Sequence, residues 1–221
     1  MGATVEVLER SSLLDKIKGK ITGAIGYLLP LVASIPPIAA WGGLMTVPFA
    51  IYLIMMFLNL TEIPLIPDLM NPQVLVIITI QFLCVTFLLW SIIHLLRRKS
   101  SGLVTSGPYR IVRHPQYFAL IIFTFFMAFD SIWILQHTFG IGWLSVEQTK
   151  LLWIGMLVAY VIIAKVEELH LETTFNPEWN DYKSRVGFLL PLIGTKSHFV
   201  ESILAVSIPY ALLEIALYLM A

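Results

Sequence analysis

The chain has 221 residues, 58% of them hydrophobic and 13% charged, with a formal net charge of zero. Soluble domains average about 25% charged residues, and several windows here reach the ~20 apolar residues that cross a bilayer core, so the composition indicates an integral membrane protein. The charge balance lacks the basic surplus of a nucleic-acid binder, and the single cysteine, Cys84, allows neither an internal disulfide nor a cysteine metal site.

Residues 1–20 mix Glu6, Glu9, Arg10, Asp15, Lys16, Lys18 and Lys20 with no apolar h-region, so they read as a tail or a short surface helix. Residues 21–60 are apolar but broken by Pro30, Pro36, Pro37 and Pro48. They suit two broken helices, 22–40 and 43–60, with Trp41-Gly42-Gly43 as the turn. Residues 61–72 are a proline-rich loop. A clean span follows over 73–96 and ends at Arg97-Arg98-Lys99. The next span is expected from Tyr117 to about Leu135, with Asp130 near its far end, and residues 137–148 read as a loop. The following span begins at Leu151, runs to about Ala164 and continues out of the membrane through Lys165-Val166-Glu167-Glu168. Residues 200–221 are apolar with Glu201, Pro209 and Glu214 inside, which suits either a further span or an interfacial helix. The expected fold is an all-α polytopic membrane bundle with about five core spans and a C-terminal apolar helix. The tail at 1–20 precedes one domain, 21–221, in which no internal repeat is visible.

Lysine and arginine set the orientation. Arg97, Arg98, Lys99, Arg110 and Arg113 share one loop, and Lys165, Lys183, Arg185 and Lys196 share another two spans later. Both face one side, the cytoplasm by this rule. The lysines of the N-terminal tail conflict with two crossings before residue 61, and the sidedness of the termini stays open.

These two cytoplasmic segments hold the chemistry. The first contains "SGPYRIVRHPQY", residues 106–117. Gly107-Pro108 is a turn signal, and Pro115 biases His114 away from helix, so a helix starts at or after Pro115. His114 then sits beside the unpaired N–H groups of a helix N-terminus, which attract anions. Arg110 and Arg113 add fork-shaped donors, and Tyr109 and Tyr117 add ring faces and hydroxyls. A positive-inside signal needs charge but needs no His-Pro, so the His-Pro-x-Tyr piece reads as functional, whereas Arg97-Arg98-Lys99 reads as topology. In the second segment Glu168 and Glu172 share a helix face and Lys165 stands three residues before Glu168. Glu167 points about 100° away. Carboxylates where a helix leaves the lipid are functional candidates. No HExxH or paired-histidine spacing supports a metal site.

Together "LVTSGPYRIVRHPQY", residues 103–117, and "EELHLETTFNPEWNDYKSRV", residues 167–186, resemble the isoprenylcysteine carboxyl methyltransferase family, within a wider group that includes phospholipid methyltransferases. The resemblance spans roughly residues 75–195. It implies a helical membrane enzyme that uses S-adenosylmethionine at the cytoplasmic face and takes a lipophilic acceptor, small or prenylated, from the bilayer. The implied cofactor site comprises Leu103, Val104, Tyr109, His114, Pro115, Gln116, Tyr117 and Glu167, with His94 and Ser101-Gly102 in the same pocket. Arg113, Glu168 and Lys165 are the expected catalytic groups. Ile163 stands where prenylcysteine-methylating relatives place an acceptor-binding arginine. Asn176 replaces a glycine, Trp179 a tyrosine and Gly187 a proline. The first departure bears on the acceptor, and Asn176 is expected to tolerate left-handed backbone nearly as well as glycine. The competing readings are a membrane reductase using NADPH and a non-catalytic lipid-binding relative. The short chain favours a prokaryotic cytoplasmic membrane; in a eukaryote the family expectation is the endoplasmic reticulum.

Overall fold

A computed structural model describes residues 37–58, 72–137, 144–191 and 197–220. The expected tail at 1–20 and most of the expected helix at 22–40 lie outside them. The chain divides into two compact units, residues 1–44 and 45–221. Within the first, the described residues are the opening turns of helix α1, Pro37–Leu58.

This helix corrects one expectation. It runs unbroken through Trp41-Gly42-Gly43, where the sequence predicts a turn. Gly-Gly lowers helix propensity by about 1 kcal/mol per residue, but apolar residues flank the pair on both sides, and inside a bilayer every backbone group must be satisfied internally.

Helices α2 (Pro72–Arg98), α3 (Pro115–His137), α4 (Val146–Phe175) and α6 (His198–Met220) are long, and α5 (Glu178–Arg185) is short. Four helices are long and apolar enough to cross a membrane, and the part of α1 from Met45 to Leu58 is a shorter apolar helix. Among the described residues there is no strand, and the all-α membrane bundle is borne out.

The spans differ in what covers them. Only 17% of the most apolar window of α2 is buried, against 56% for α3, so α3 is the central helix. Buried Ile77, Cys84 and Ser91 of α2 recur every seven residues, the single seam by which this helix meets the bundle. Its other faces carry exposed Phe82, Leu83, Leu89 and Trp90, as a lipid-facing helix should. Thr79 and Thr86 donate to carbonyls four residues back, which satisfies their hydroxyls on that surface. Between α3 and α4, the indole N–H of Trp153 donates to Thr124 Oγ1 at 3.1 Å, both residues buried.

Helix α4 starts earlier than the expected Leu151. Ser145 caps it, accepting from the Gln148 N–H while the Gln148 side chain accepts from the Ser145 N–H, a reciprocal capping box. Its 30 residues make about 45 Å of helix, well over a ~30 Å hydrocarbon core. The helix therefore continues through Lys165 to Glu168, as expected, and ends at Phe175.

The C-terminal apolar run is a full helix antiparallel to α4. Two ion pairs set that direction: Lys165 with Glu201 at 3.3 Å, and Lys150 with Glu214 at 2.8 Å. The paired lysines stand about 22 Å apart along α4 and the glutamates about 20 Å apart along α6. By length and composition this helix can cross a membrane, as the first of the two readings requires.

Candidate functional site

The site is built where the two polar segments meet. The first leaves α2 through a 3-10 turn at Lys99–Ser101, passes half-buried Gly102-Leu103-Val104, and forms a second 3-10 turn at Gly107–Arg110. Gly107 has φ +62, and a Cβ there would lie 2.8 Å from the His94 ring. Both facts demand glycine. His94 thus braces the turn, with Nε2 hydrogen bonded to Ser106 Oγ at 3.0 Å.

From Pro108 to Pro115 the chain is buried except at Arg110 and Ile111. The second segment holds it in place. Val112 and Gly187 form an isolated parallel bridge, the Arg113 N–H donates to the Gly187 carbonyl at 2.9 Å, and the Tyr182 hydroxyl donates to the Tyr109 carbonyl at 2.6 Å. Gly187, where a proline was expected, is one of these anchors. Asn176 takes extended backbone (φ −68, ψ 130), so its tolerance of left-handed backbone is not called on; Pro177 after it favours the extended conformation.

Side chains complete the junction. Tyr117 donates its hydroxyl to Glu167 Oε1 at 2.6 Å, and His114 Nδ1 lies 3.2 Å from Glu167 Oε2. The Tyr117 ring packs on His114 and on Tyr160. Tyr109 donates to Gln116 Oε1 at 3.2 Å. Beside this trio lies a closed ring of alternating charge. Arg113 Nη1 lies 2.9 Å from Glu168 Oε1, and Glu168 Oε2 is 2.9 Å from Lys165 Nζ. Lys165 Nζ is 3.3 Å from Glu201 Oε2, and Glu201 Oε1 is 2.6 Å from Arg113 Nη2. Arg113, Glu168 and Glu201 have side chains at most 3% exposed; Lys165 is 21% exposed and forms the open side. Phe188 underlies the ring, its centroid 3.7 Å from Lys165 Nζ and 5.4 Å from the Arg113 guanidinium carbon.

Burial alone would lower the His114 pKa, but the close contact with Glu167 and the negative charges of Glu167 and Glu168 outweigh it and hold the pKa above the ordinary histidine value. With His114 charged, three cations face three carboxylates. Burial also raises the Tyr109 and Tyr182 hydroxyls well above the usual phenol range, so both stay neutral donors.

One point of the junction is under-satisfied. Glu168 Oε1 lies 2.9 Å from Arg113 Nη1 and 3.7 Å from His114 Nε2, yet none of these three buried atoms completes a well-directed hydrogen bond. Buried polar groups left this way are costly, so these atoms keep unused capacity for a hydrogen bond to a polar ligand group or water.

The structure brings together Arg113, His114, Tyr117, Lys165, Glu167 and Glu168 from the expected set. Tyr109, Pro115 and Gln116 are buried beside them; His94 supports the turn. Ser101 and Gly102 lie at the end of the first 3-10 turn. Sequence reasoning missed Glu201 and Phe188. A carboxylate inside an apolar span was the available signal for Glu201; nothing local marked Phe188.

Residues 69–139 match the model of the isoprenylcysteine carboxyl methyltransferase (ICMT) family. The matched segment holds α2, both 3-10 turns, the 103–117 motif and α3, and it stops before the 167–186 motif. The resemblance read from the sequence is borne out over those residues, and it points to a membrane methyltransferase. No curated protein and no solved structure matches the chain.

Proposed function

We propose that this protein is a membrane methyltransferase that uses S-adenosylmethionine to methylate a lipophilic acceptor, with its site at the cytoplasmic face. The observation that carries the reading is the junction itself: Tyr117 and His114 of the first motif both engage Glu167 of the second. Glu167 is still 18% exposed, and three under-satisfied buried atoms lie beside it. The amino-acid end of the cofactor is a zwitterion and needs both donors and acceptors. Arg113 and His114 offer the donors there, and Glu167 and Glu168 the acceptors, so the residues present fit the group. When bound, the cofactor supplies an electrophilic methyl on a sulfonium.

The chain's own contribution is then positioning. Glu167 accepts from an ammonium or a ribose hydroxyl, and Tyr117 and His114 fix its carboxylate. Lys165, on the open side of the ring, is the cation offered to an anionic acceptor, in place of the arginine that Ile163 lacks. A carboxylate acceptor is already ionised and needs no base, so alignment, worth up to about 7–11 kcal/mol, carries the rate. The exposed bases Arg97, Arg98, Lys99, Arg110 and Arg185 support the cytoplasmic side.

Calorimetric titration of S-adenosylmethionine and its demethylated product into the detergent-purified full chain tests the reading, with NADPH as the control. One-site saturable binding is expected, lost in Glu167→Ala and His114→Ala variants whose helicity is intact. Wild-type affinity in both variants overturns the site; binding of NADPH alone by folded wild type overturns the reaction class.

A further inference from the structure

Glu201 stands outside everything the two motifs contain. It lies in the first turn of α6, beyond both the family match at 69–139 and the second motif. Its carboxylate is 2% exposed, yet it does not simply neutralise one neighbour: one oxygen meets Arg113 and the other meets Lys165. Without it, two buried or half-buried cations would share Glu168 alone, and the ring would carry one uncompensated positive charge.

We infer that Glu201 is a positioning residue of the site, one that fixes Arg113 and Lys165 where a ligand meets them; the inference rests on the methyltransferase reading. Three observations carry it. The ring closes only through Glu201, since Arg113 and Lys165 have no other shared partner besides Glu168 among the ion pairs of the described residues. The Arg113–Glu201 contact is the shortest of the four. Arg113 Nη1, on the other arm of the guanidinium, is one of the three atoms at the under-satisfied point. Glu201 therefore sets the angle at which Arg113 presents that arm.

The same two helices supply a matched control. Lys150 and Glu214 join α4 to α6 about 20 Å away. Glu214→Gln loosens helix docking without touching the ring, whereas Glu201→Gln does both. Affinity for S-adenosylmethionine should fall roughly 10–100-fold in Glu201→Gln, the scale seen when a residue that orients a ligand-holding side chain is lost. It should partly recover in Glu201→Asp and stay at the wild-type value in Glu214→Gln. Equal losses in Glu201→Gln and Glu214→Gln would reduce α6 to a scaffold and overturn the inference, as would wild-type affinity in Glu201→Gln.

A second arm needs no cofactor. In thermal unfolding of the full chain, Glu201→Gln combined with Lys165→Met should cost less than the sum of the single variants; additive losses mean that Glu201 does not hold Lys165, and the inference falls. Failure of wild type to bind the cofactor removes the methyltransferase reading and the role in it. A wild type that binds while the variants fail the pattern removes the inference alone.

Discussion

Two ion pairs join α4 to α6, and they are chemically alike: a lysine of α4 with a glutamate of α6 at each end. Their settings differ. Glu214 is 38% exposed and its pair stands alone as an ion pair among the described residues, whereas Glu201 is 2% exposed and shares two cations with Glu168. An exposed pair contributes little, since solvent screens it and ordering two long side chains opposes it. A buried one gains only if every oxygen and N–H is matched. A second cationic partner, rather than the ion pair itself, separates Glu201 from Glu214.

The largest expected effect breaks the ring at its centre. Arg113→Met leaves two buried carboxylates to one lysine and should cost about 3–5 kcal/mol, while Glu214→Gln should cost under about 1 kcal/mol. Reversible unfolding in mixed detergent measures both, and similar losses would erase the distinction between the two ends. A smaller effect sharpens the picture of how the ring end is supported. Gly107→Ala should cost about 1–2 kcal/mol for left-handed backbone alone, plus the contact with the His94 ring. In a His94→Ala background only the backbone part should remain, and an undiminished cost would show that His94 does not brace the turn.

The smallest and most conditional effect is in pH. The His114 pKa is raised on folding, so its contribution is fully present below the unfolded value of about 6.5 and is lost as pH rises through the folded value. The melting temperature should therefore decline on the alkaline side of pH 6.5, and that slope should flatten in His114→Asn. An unchanged slope would assign the pH dependence elsewhere.

Much of this was legible in the sequence because the signals were local. The apolar windows of α2, α3 and α6 follow from composition, and the start of α3 follows from Pro115. The meeting of the 103–117 and 167–186 segments follows from lysine and arginine bias across a two-span hairpin. Three things were not legible. The Ser145–Gln148 capping box is present in the letters, but it precedes the first long apolar run of α4 by several polar residues, so hydropathy alone places it in a loop. Gly42-Gly43 carried a turn signal that the surrounding apolar chain overrode. Glu201 lies 88 residues from Arg113, and no periodicity connects them; only packing of α6 against α3 and α4 shows the partnership.

The position of Glu201 in the chain has a consequence for how the protein is made. Chains emerge from the ribosome N-terminus first, so α2, α3 and α4 enter the membrane before α6 exists. During that interval Arg113 and Lys165 have Glu168 but not their second carboxylate, so the nascent junction carries excess positive charge. Arrival of α6 cancels that charge and closes the ring. Helix α6 thus converts a half-built junction with excess positive charge into a balanced, largely buried one.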